Sequence, residues 1–396
     1  MQQMNRTESK PADPIARARS VVSLLKDAAP RIEQARELPA DVLAALHDAR
    51  LFRLALPRSV GGDEIDLATH AQVLEIIAAA DASTAWVMSQ GAGCSMAAAY
   101  LSPESARRWF GAKDAVLAWG AGIQGRAVKV EGGYRVTGTW TFASGSRHAT
   151  LLGGHSFVYE ADGSRPLRPD GRPLDRTALF ARAMAKVDDV WHTVGLRGTG
   201  SDTFSVTDLF VPEEDTVDRD NPDELVVPAT LYRFPTTLVY GVGFSALMVG
   251  IARSMIDELT KLAMVKTPRA ASMSMRDSPV FQTQLAQLEA RHAAGRAYLL
   301  KTATDLYAEV ETAGEITTEQ KARVKLATTY VINHCFEIVT DCYRAAGQHA
   351  IFPSNPFERR MRDAMTASQQ TQARGTNYIT CGRIFLGLDN DDVAFV

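Results

Sequence analysis

At 396 residues the chain is long enough to bury a large core and to divide into two or three domains. Apolar residues make up 46% and charged residues 22%, which excludes a disordered or fibrous chain. A net charge of -3 without any strongly basic block gives no support for nucleic-acid binding.

From 13 to 110 the pattern is helical. Val21, Leu24, Leu25 and Ala28 recur at three and four residues, the spacing of one helix face, and Val42, Leu43, Leu46 and Leu51 continue it. The loop around Pro57 to Gly62 interrupts the pattern, and Val73, Ile76, Ile77 and Ala80 restore it. From about 115 to 212 the period changes to two. Tyr134, Val136, Gly138, Trp140 and Phe142 alternate with Arg135, Thr137, Thr139 and Thr141, as in a half-buried strand, and Gly132-Gly133 predicts a hairpin turn before it. Segments 151–158 and 203–211 read as further strands, and 161–176, rich in Pro, Gly and charge, reads as a solvated loop between them. From about 231 to 388 the chain is helical again. Thr317-Thr-Glu-Gln320 offers a capping box, and four long segments suit an antiparallel bundle. The expected fold is α+β: an N-terminal helical domain (1–112), a small central β-barrel or sandwich domain (113–228) and a C-terminal four-helix bundle (229–396).

Four cysteines, Cys94, Cys335, Cys342 and Cys381, are sparse, so buried packing rather than a disulfide framework or metal pair is expected. The polar start, 1–14, lacks the apolar core of a secretory signal, and a cytoplasmic location is expected. The longest apolar run, 237–252, is shorter than the roughly 20 residues of a membrane helix and predicts a buried helix start, with no membrane partner. No histidine pair has metal-ligand spacing beside a third ligand, so no metal is expected.

Five segments carry a resemblance. They are Leu38-Pro-Ala-Asp-Val-Leu-Ala-Ala-Leu46 with the loop to Gly62; Asp81-Ala-Ser-Thr-Ala-Trp86; Gly132 to Gly145, ending Trp140-Thr-Phe-Ala-Ser-Gly145; Trp191 to Asp202, containing Gly198-Thr-Gly-Ser201; and Tyr343 to Arg374, containing Gly347-Gln348 and Arg362-Asp-Ala364. In this order they resemble the acyl-CoA dehydrogenase fold superfamily over nearly the whole chain. The third and fourth segments look like the two-component flavin-dependent monooxygenases of that superfamily. The resemblance implies reduced FMN or FAD as cofactor, delivered by a separate flavin reductase, with O2 and a small organic substrate as reactants. It also implies a homotetramer in which a neighbouring subunit completes each flavin site.

One departure bears on the chemistry. In the dehydrogenases a glutamate base commonly follows the Arg-Asp-Ala step, and in the hydroxylases a histidine. Here 365–374 holds neither carboxylate nor histidine, and the equivalent position is Gln370. An amide orients a substrate by donating and accepting, but it cannot take an α-proton or deprotonate a phenol at neutral pH. The segment 117–125 also lacks the Thr-Glu-Pro step usual in the dehydrogenases.

The candidate residues follow. Phe142, Ala143 and Ser144 end the presumed flavin strand, with Ser144 expected to donate to a ring edge; Trp119 precedes them, and Thr199 and Ser201 sit in a glycine-rich turn that binds a ring edge or phosphate or simply makes the turn. The resemblance makes Arg276, Phe281 and Gln282 the segment reaching a partner's cofactor phosphates, and Gly347 and Gln348 a cofactor-contacting turn. His148 is the best-placed candidate base, with Gln370 as substrate anchor, and Asp363 with Arg359, Arg360 and Arg362 reads as a helix-face ion-pair network. The leading expectation is a flavin-dependent monooxygenase, favouring oxidation at N or S, which needs no base. The alternative is an acyl-CoA dehydrogenase-like dehydrogenase or oxidase with a base from an unusual position such as Glu337 or Asp341. A third reading, a binding protein that has lost its chemistry, conflicts with the intact flavin-strand motifs.

Overall fold

The computed structural model describes residues 13–269 and 271–388; the ends of the chain, including the polar segment up to residue 12, lie outside the described residues. Six helices come first: α1 (Pro14–Ser20), α2 (Val22–Ala35), α3 (Ala40–Asp48), α4 (Leu67–Ala80), α5 (Ala82–Ser95) and α6 (Pro103–Phe110). Short polar side chains set their boundaries. Asp66 accepts from Thr69 N at 2.8 Å to cap α4. The backbone N–H of Asp81 closes α4 on Ile77 O while its carboxylate accepts from Thr84 N at 2.7 Å to open α5, so one residue turns the chain between two helices.

Eight strands follow: β1 (Leu117–Trp119), β2 (Gly125–Val130), β3 (Gly133–Ala143), β4 (Leu151–Tyr159), β5 (Asp175–Ala181), β6 (Lys186–Asp188), β7 (Asp202–Pro212) and β8 (Thr216–Val217). They form one mixed sheet in the order β6-β7-β3-β2-β4-β5-β8, with β1 also beside β4. The β1–β4 and β2–β4 pairings are parallel and the rest antiparallel. The expected barrel or sandwich is therefore corrected to an open sheet. Closure requires the two edge strands to bond to each other, and here they are the short β6 and β8, which do not pair. The β2–β3 turn is Glu131-Gly132 rather than Gly132-Gly133: Val130 pairs with Gly133, and Gly132 takes φ +75°. The charged 161–174 loop is mostly exposed but anchored by the nearly buried Arg168, which donates to Asp218 at 2.7 Å and to Asp175 at 3.1 Å.

Trp140 is the centre of the sheet's core. It is fully buried, stacks on Phe204 at 5.1 Å, and donates its indole N–H to His155 O at 2.8 Å. Gly125, Gly138 and Gly154 cradle the ring: a Cβ at any of them would lie within 2.6 Å of an indole carbon.

The C-terminal helices are α7 (Thr236–Val265), α8 (Pro279–Ala313), α9 (Thr318–Ala346), α10 (Pro356–Ala367) and α11 (Thr376–Phe385). The capping box at Thr317 and Gln320 opens α9 as the sequence predicts. The expected four long helices are three, and the fourth segment is broken into α10 and α11 by the turn that carries Gln370. The apolar run lies in α7, whose membrane-length apolar window is 89% buried inside the fold, against α4, α5 and α9. All four cysteines are free and buried, and the described residues contain no metal-binding cluster.

Candidate active site

The end of β3 is irregular in the way that functional sites are. Register with β7 slips between Trp140 and Ala143, and Phe142 adopts φ +59°, an outlier for a bulky side chain. This turns the Phe142 ring outward, 59% exposed, edge-on to Trp191 at 6.2 Å. Ala143 and Ser144 fold inward behind it.

Ser144 is the head of a hydrogen-bonded chain. Trp86, on α5, donates Nε1–H to Ser144 Oγ at 3.0 Å. Ser144 Oγ lies 2.7 Å from Ser201 Oγ, which lies 2.7 Å from Thr199 Oγ1, and Thr199 Oγ1 lies 2.9 Å from Leu196 O. Leu196 O also accepts from Trp191 Nε1 at 2.9 Å and from Thr199 N at 3.2 Å, so the chain of hydroxyls can carry its protons in either direction. Ser144 Oγ, which accepts from Trp86 and bonds Ser201, keeps capacity for one further hydrogen bond. Thr199 and Ser201 are buried and spend their hydroxyls on this chain, so they build the turn rather than face a ligand.

Helix α10 holds this turn in place. Leu196, at φ +50°, donates its N–H to Asp363 Oδ1 at 2.6 Å, and Arg362 Nη1 donates to Val194 O at 2.6 Å. The ion-pair network expected around Asp363 is corrected on this point: Arg362 pairs with Glu33 and Glu358, whereas Asp363 is buried and bonds a backbone amide. Burial, and next the neighbouring Asp81 carboxylate, push the Asp363 carboxyl up to about 7 against the pull of the Leu196 amide. Burial also raises Asp81.

An aromatic wall adjoins Ser144. Trp86 stacks on Phe244 of α7 at 4.0 Å and 20°, and Tyr240, one turn earlier, stacks on Phe244 at 5.8 Å. Tyr240 Oη contacts Cys94 Sγ at 3.3 Å. Sequence reasoning gave these aromatics no role; the available signal was Tyr240 and Phe244 at helical spacing opposite the Trp86 motif. Beside them, Ser89 Oγ and both ring nitrogens of His70 are buried without a partner. Burial lowers His70 to about 4, so its ring is neutral.

Gln370 lies in the turn between α10 and α11. Both polar atoms of its amide are buried and have no partner, a costly state that a bound polar group would relieve. The turn is pinned to α9 by Thr329 Oγ1 donating to Gln372 O at 2.7 Å and Asn333 Nδ2 donating to Ala373 O at 2.9 Å. Helix α9 in turn meets α7, with Ser245 Oγ donating to Thr328 O at 3.1 Å, one residue from Phe244.

Other candidates stand elsewhere. His148 is corrected from base to structural ligand: its Nε2 lone pair accepts from Leu38 N at 2.8 Å, and burial lowers it to about 4. Trp119 is buried core rather than flavin-facing, edge-on to His155 at 4.7 Å and covered by the Arg219 guanidinium at 4.5 Å. Arg276 is exposed and pairs with Asp277, Gln282 is exposed and donates to Arg276 O at 3.0 Å, and Phe281 packs into the main core. Gly347 and Gln348 are exposed at the end of α9. Lys266 joins these two groups at one end of the bundle, donating Nζ–H to Ala346 O at 2.7 Å while its carbonyl accepts from Met275 N. Within one chain they are not joined to Phe142–Ser144. Glu337 and Asp341 point away on α9, both paired with Arg291 of α8.

Two family models match the chain: the acyl-CoA dehydrogenase N-terminal domain over residues 17–112 and the acyl-CoA dehydrogenase C-terminal domain over 242–374. This chain belongs to the acyl-CoA dehydrogenase superfamily. Several proteins similar to it are oxygenases. An indole-3-acetate monooxygenase of Pseudomonas putida is 27% identical, covering 90% of this chain and 89% of its own length. The flavin-dependent monooxygenase oxygenase subunit HsaA of Rhodococcus jostii is 28% identical, covering 87% and 90%. The crystal structure of 3-HSA hydroxylase from Rhodococcus sp. RHA1 superposes with a TM-score of 0.85 at 26% identity, covering 96% of this chain and 98% of that one. The chain is thus a flavin-dependent oxidoreductase of the monooxygenase branch.

Proposed function

We propose that this protein is the oxygenase component of a two-component system, taking reduced FMN or FAD from a separate reductase and inserting one atom of O2 into a small, neutral, electron-rich substrate. The observation that carries the reading is Gln370, an unpartnered buried amide in the α10–α11 turn at the position where the resemblance places the superfamily's bases, together with the strained end of β3 at Phe142 as a flavin-strand candidate. The residues fit a flavin: Phe142 offers an exposed apolar face, and Ser144 a hydroxyl for a ring edge. Reduced flavin, when bound, supplies the electrons that activate O2. The chain's own residues exclude water with the Trp86–Phe244–Tyr240 wall and orient the substrate through Gln370, without removing a proton.

That absence of a base favours an indole-like ring or a nucleophilic N or S over a phenol, since these react without deprotonation. The name of the Pseudomonas putida relative supports an indole. The dehydrogenase alternative loses its proposed bases, because Glu337 and Asp341 pair with Arg291 between α8 and α9. A homotetramer is supported by the exposed apolar side chains Ile379 and Leu386 in and just after α11, and a cytoplasmic location by the four free thiols.

The test is turnover under isotopically labelled dioxygen with chemically reduced flavin, using indole-3-acetate and a panel of thioethers and amines. One labelled oxygen atom per product supports the proposal. No oxygenated product from any of them, together with bleaching of bound FAD by an acyl-CoA, refutes it.

A further inference from the structure

We infer that Arg219 anchors a carboxylate of the substrate, so that the molecule oxidised is an aromatic or heteroaromatic acid; this rests on the oxygenase reading above. The Arg219 guanidinium is half-buried, with Cζ 4.5 Å from the centroid of the Trp119 ring. Of its five N–H donors one has a partner, Nη1 donating to Thr236 Oγ1 at 2.7 Å, and Nε is buried with none. Its neighbours in the chain do not neutralise it, since Asp218 accepts from Arg168 at 2.7 Å and Asp220 from Arg172 at 3.1 Å. The groups it faces do not either. Burial pushes Cys94 up to about 12 and Tyr240 well above its ordinary value, against the pull of Arg219, so thiol and phenol stay neutral. A positive charge taken partly out of water without a counter-ion is costly, and a ligand carboxylate supplies both the charge and the acceptors it lacks.

The arginine stands at one end of the aromatic wall. Trp86, Gln90 and Cys94 recur at four residues along α5, and Thr236, Tyr240 and Phe244 do so along α7, which runs past it in the opposite sense. Contacts tie the rows level by level: Trp86 to Phe244 at 4.0 Å, Cys94 Sγ to Tyr240 Oη at 3.3 Å, and Thr236 to Arg219. Eight helical residues separate the first level from the last, about 12 Å, with Ser144 bonded to Trp86 at one end and the guanidinium at the other. Between them the Gln90 amide oxygen is buried with no partner, and Tyr240, deep in the fold, still keeps accessible surface. The wall therefore borders open space rather than close-packed core. A planar ring laid along it points one edge toward Ser144 and its carboxylate toward Arg219. The reacting ring or heteroatom stays neutral, as the missing base requires, and the charge sits on a separate arm of the same molecule.

The experiment measures dissociation constants by calorimetry for two matched pairs, indole-3-acetate with indole-3-acetamide and 2-naphthylacetate with 2-naphthylacetamide. Wild type, Arg219→Gln and Arg219→Lys are compared, and each ligand is also tested for oxygenated product with chemically reduced flavin. Wild type should bind each acid about tenfold to a hundredfold tighter than its amide, the weight of a charge-assisted hydrogen bond. Arg219→Gln should lose that preference and keep its affinity for the amides, which also shows that the variant is folded. Arg219→Lys keeps the charge without the planar fork and should recover part of the preference. Equal affinity for acid and amide in wild type, or no binding of either acid, overturns the inference. So does an equal loss of acid and amide in both variants, the result expected of an arginine that only braces Trp119 and Thr236. Oxygenated product from uncharged ligands without any preference for acids overturns it while leaving the oxygenase reading intact. Acid-selective binding with no oxygenated product from any ligand keeps the anchor and overturns the oxygenase reading.

Discussion

Replacing Asp363 by Asn should change how stability depends on pH, and the direction follows from the structure. The Asp363 carboxyl is held near 7 by burial and by Asp81. In the unfolded chain it returns to about 3.9. Between these values the folded protein binds a proton that the unfolded chain has released, so stability falls as pH rises. This contribution is fully present below about pH 4 and is lost as pH passes about 7, and three pKa units correspond to a change on the order of 4 kcal/mol. In Asp363→Asn the amide oxygen still accepts from Leu196 N, but nothing titrates. The buried neutral histidines His70, His148 and His155 have lowered pKa values, so they pull the other way; they are common to both proteins and cancel in the difference. Asp81, also raised by burial, feels the Asp363 charge only above its titration, which steepens the same trend. Denaturant unfolding of both proteins from pH ~4.5 to ~7.5 gives the difference curve directly. The wild type should lose stability relative to the variant across that window. A difference constant to within about 0.5 kcal/mol would refute the assignment of a buried, protonated Asp363.

Three further outcomes are expected. Gln370→Ala should raise the KM for the oxidised substrate by about tenfold, the scale of one net hydrogen bond, and leave the dissociation constant for reduced flavin unchanged; steady-state kinetics beside flavin titration checks both. Glu337→Gln and Asp341→Asn should leave turnover within about twofold of wild type, because these carboxylates pair with Arg291 at the α8–α9 contact; a hundredfold loss in kcat would restore them as bases. Trp140→Phe should destabilise the protein by about 2–4 kcal/mol, since it leaves a void among three glycines and deletes the bond to His155 O; equilibrium unfolding measures it.

The order of helices, sheet and helices was legible because the hydrophobic period changes from 3.6 to 2 and back at the right places. Trp140 shows where local pattern suffices, and Phe142, the next apolar position of the same alternation, shows where it fails, because the irregularity at the end of β3 turns its ring outward. Closure of the sheet was not legible, since it depends on whether β6 and β8 meet, and no residue in either strand records that. Ser144 was legible as a position at the end of β3, but its partners were not. Its hydroxyl meets Ser201 and, through it, Thr199, more than fifty residues away in sequence, and only the assembled chain of hydroxyls reveals this. His148 failed for a related reason: its lone pair is taken by Leu38 N, a partner that no spacing rule connects to it. Gln370 was legible from the resemblance, and the structure added that its amide is buried and unsatisfied.

The most direct test of the central claim is an anaerobic titration of the purified protein with oxidised and reduced FMN and FAD, followed by admission of oxygen in the presence of substrate. Weak binding of the oxidised form, tight binding of one reduced flavin, and oxygen-dependent product are the outcome that a reduced-flavin oxygenase built around Ser144 and Gln370 requires. Oxidised FAD that stays bound through purification and is reduced by an acyl-CoA would contradict it, and would identify a dehydrogenase whose base lies outside the residues assigned to the site.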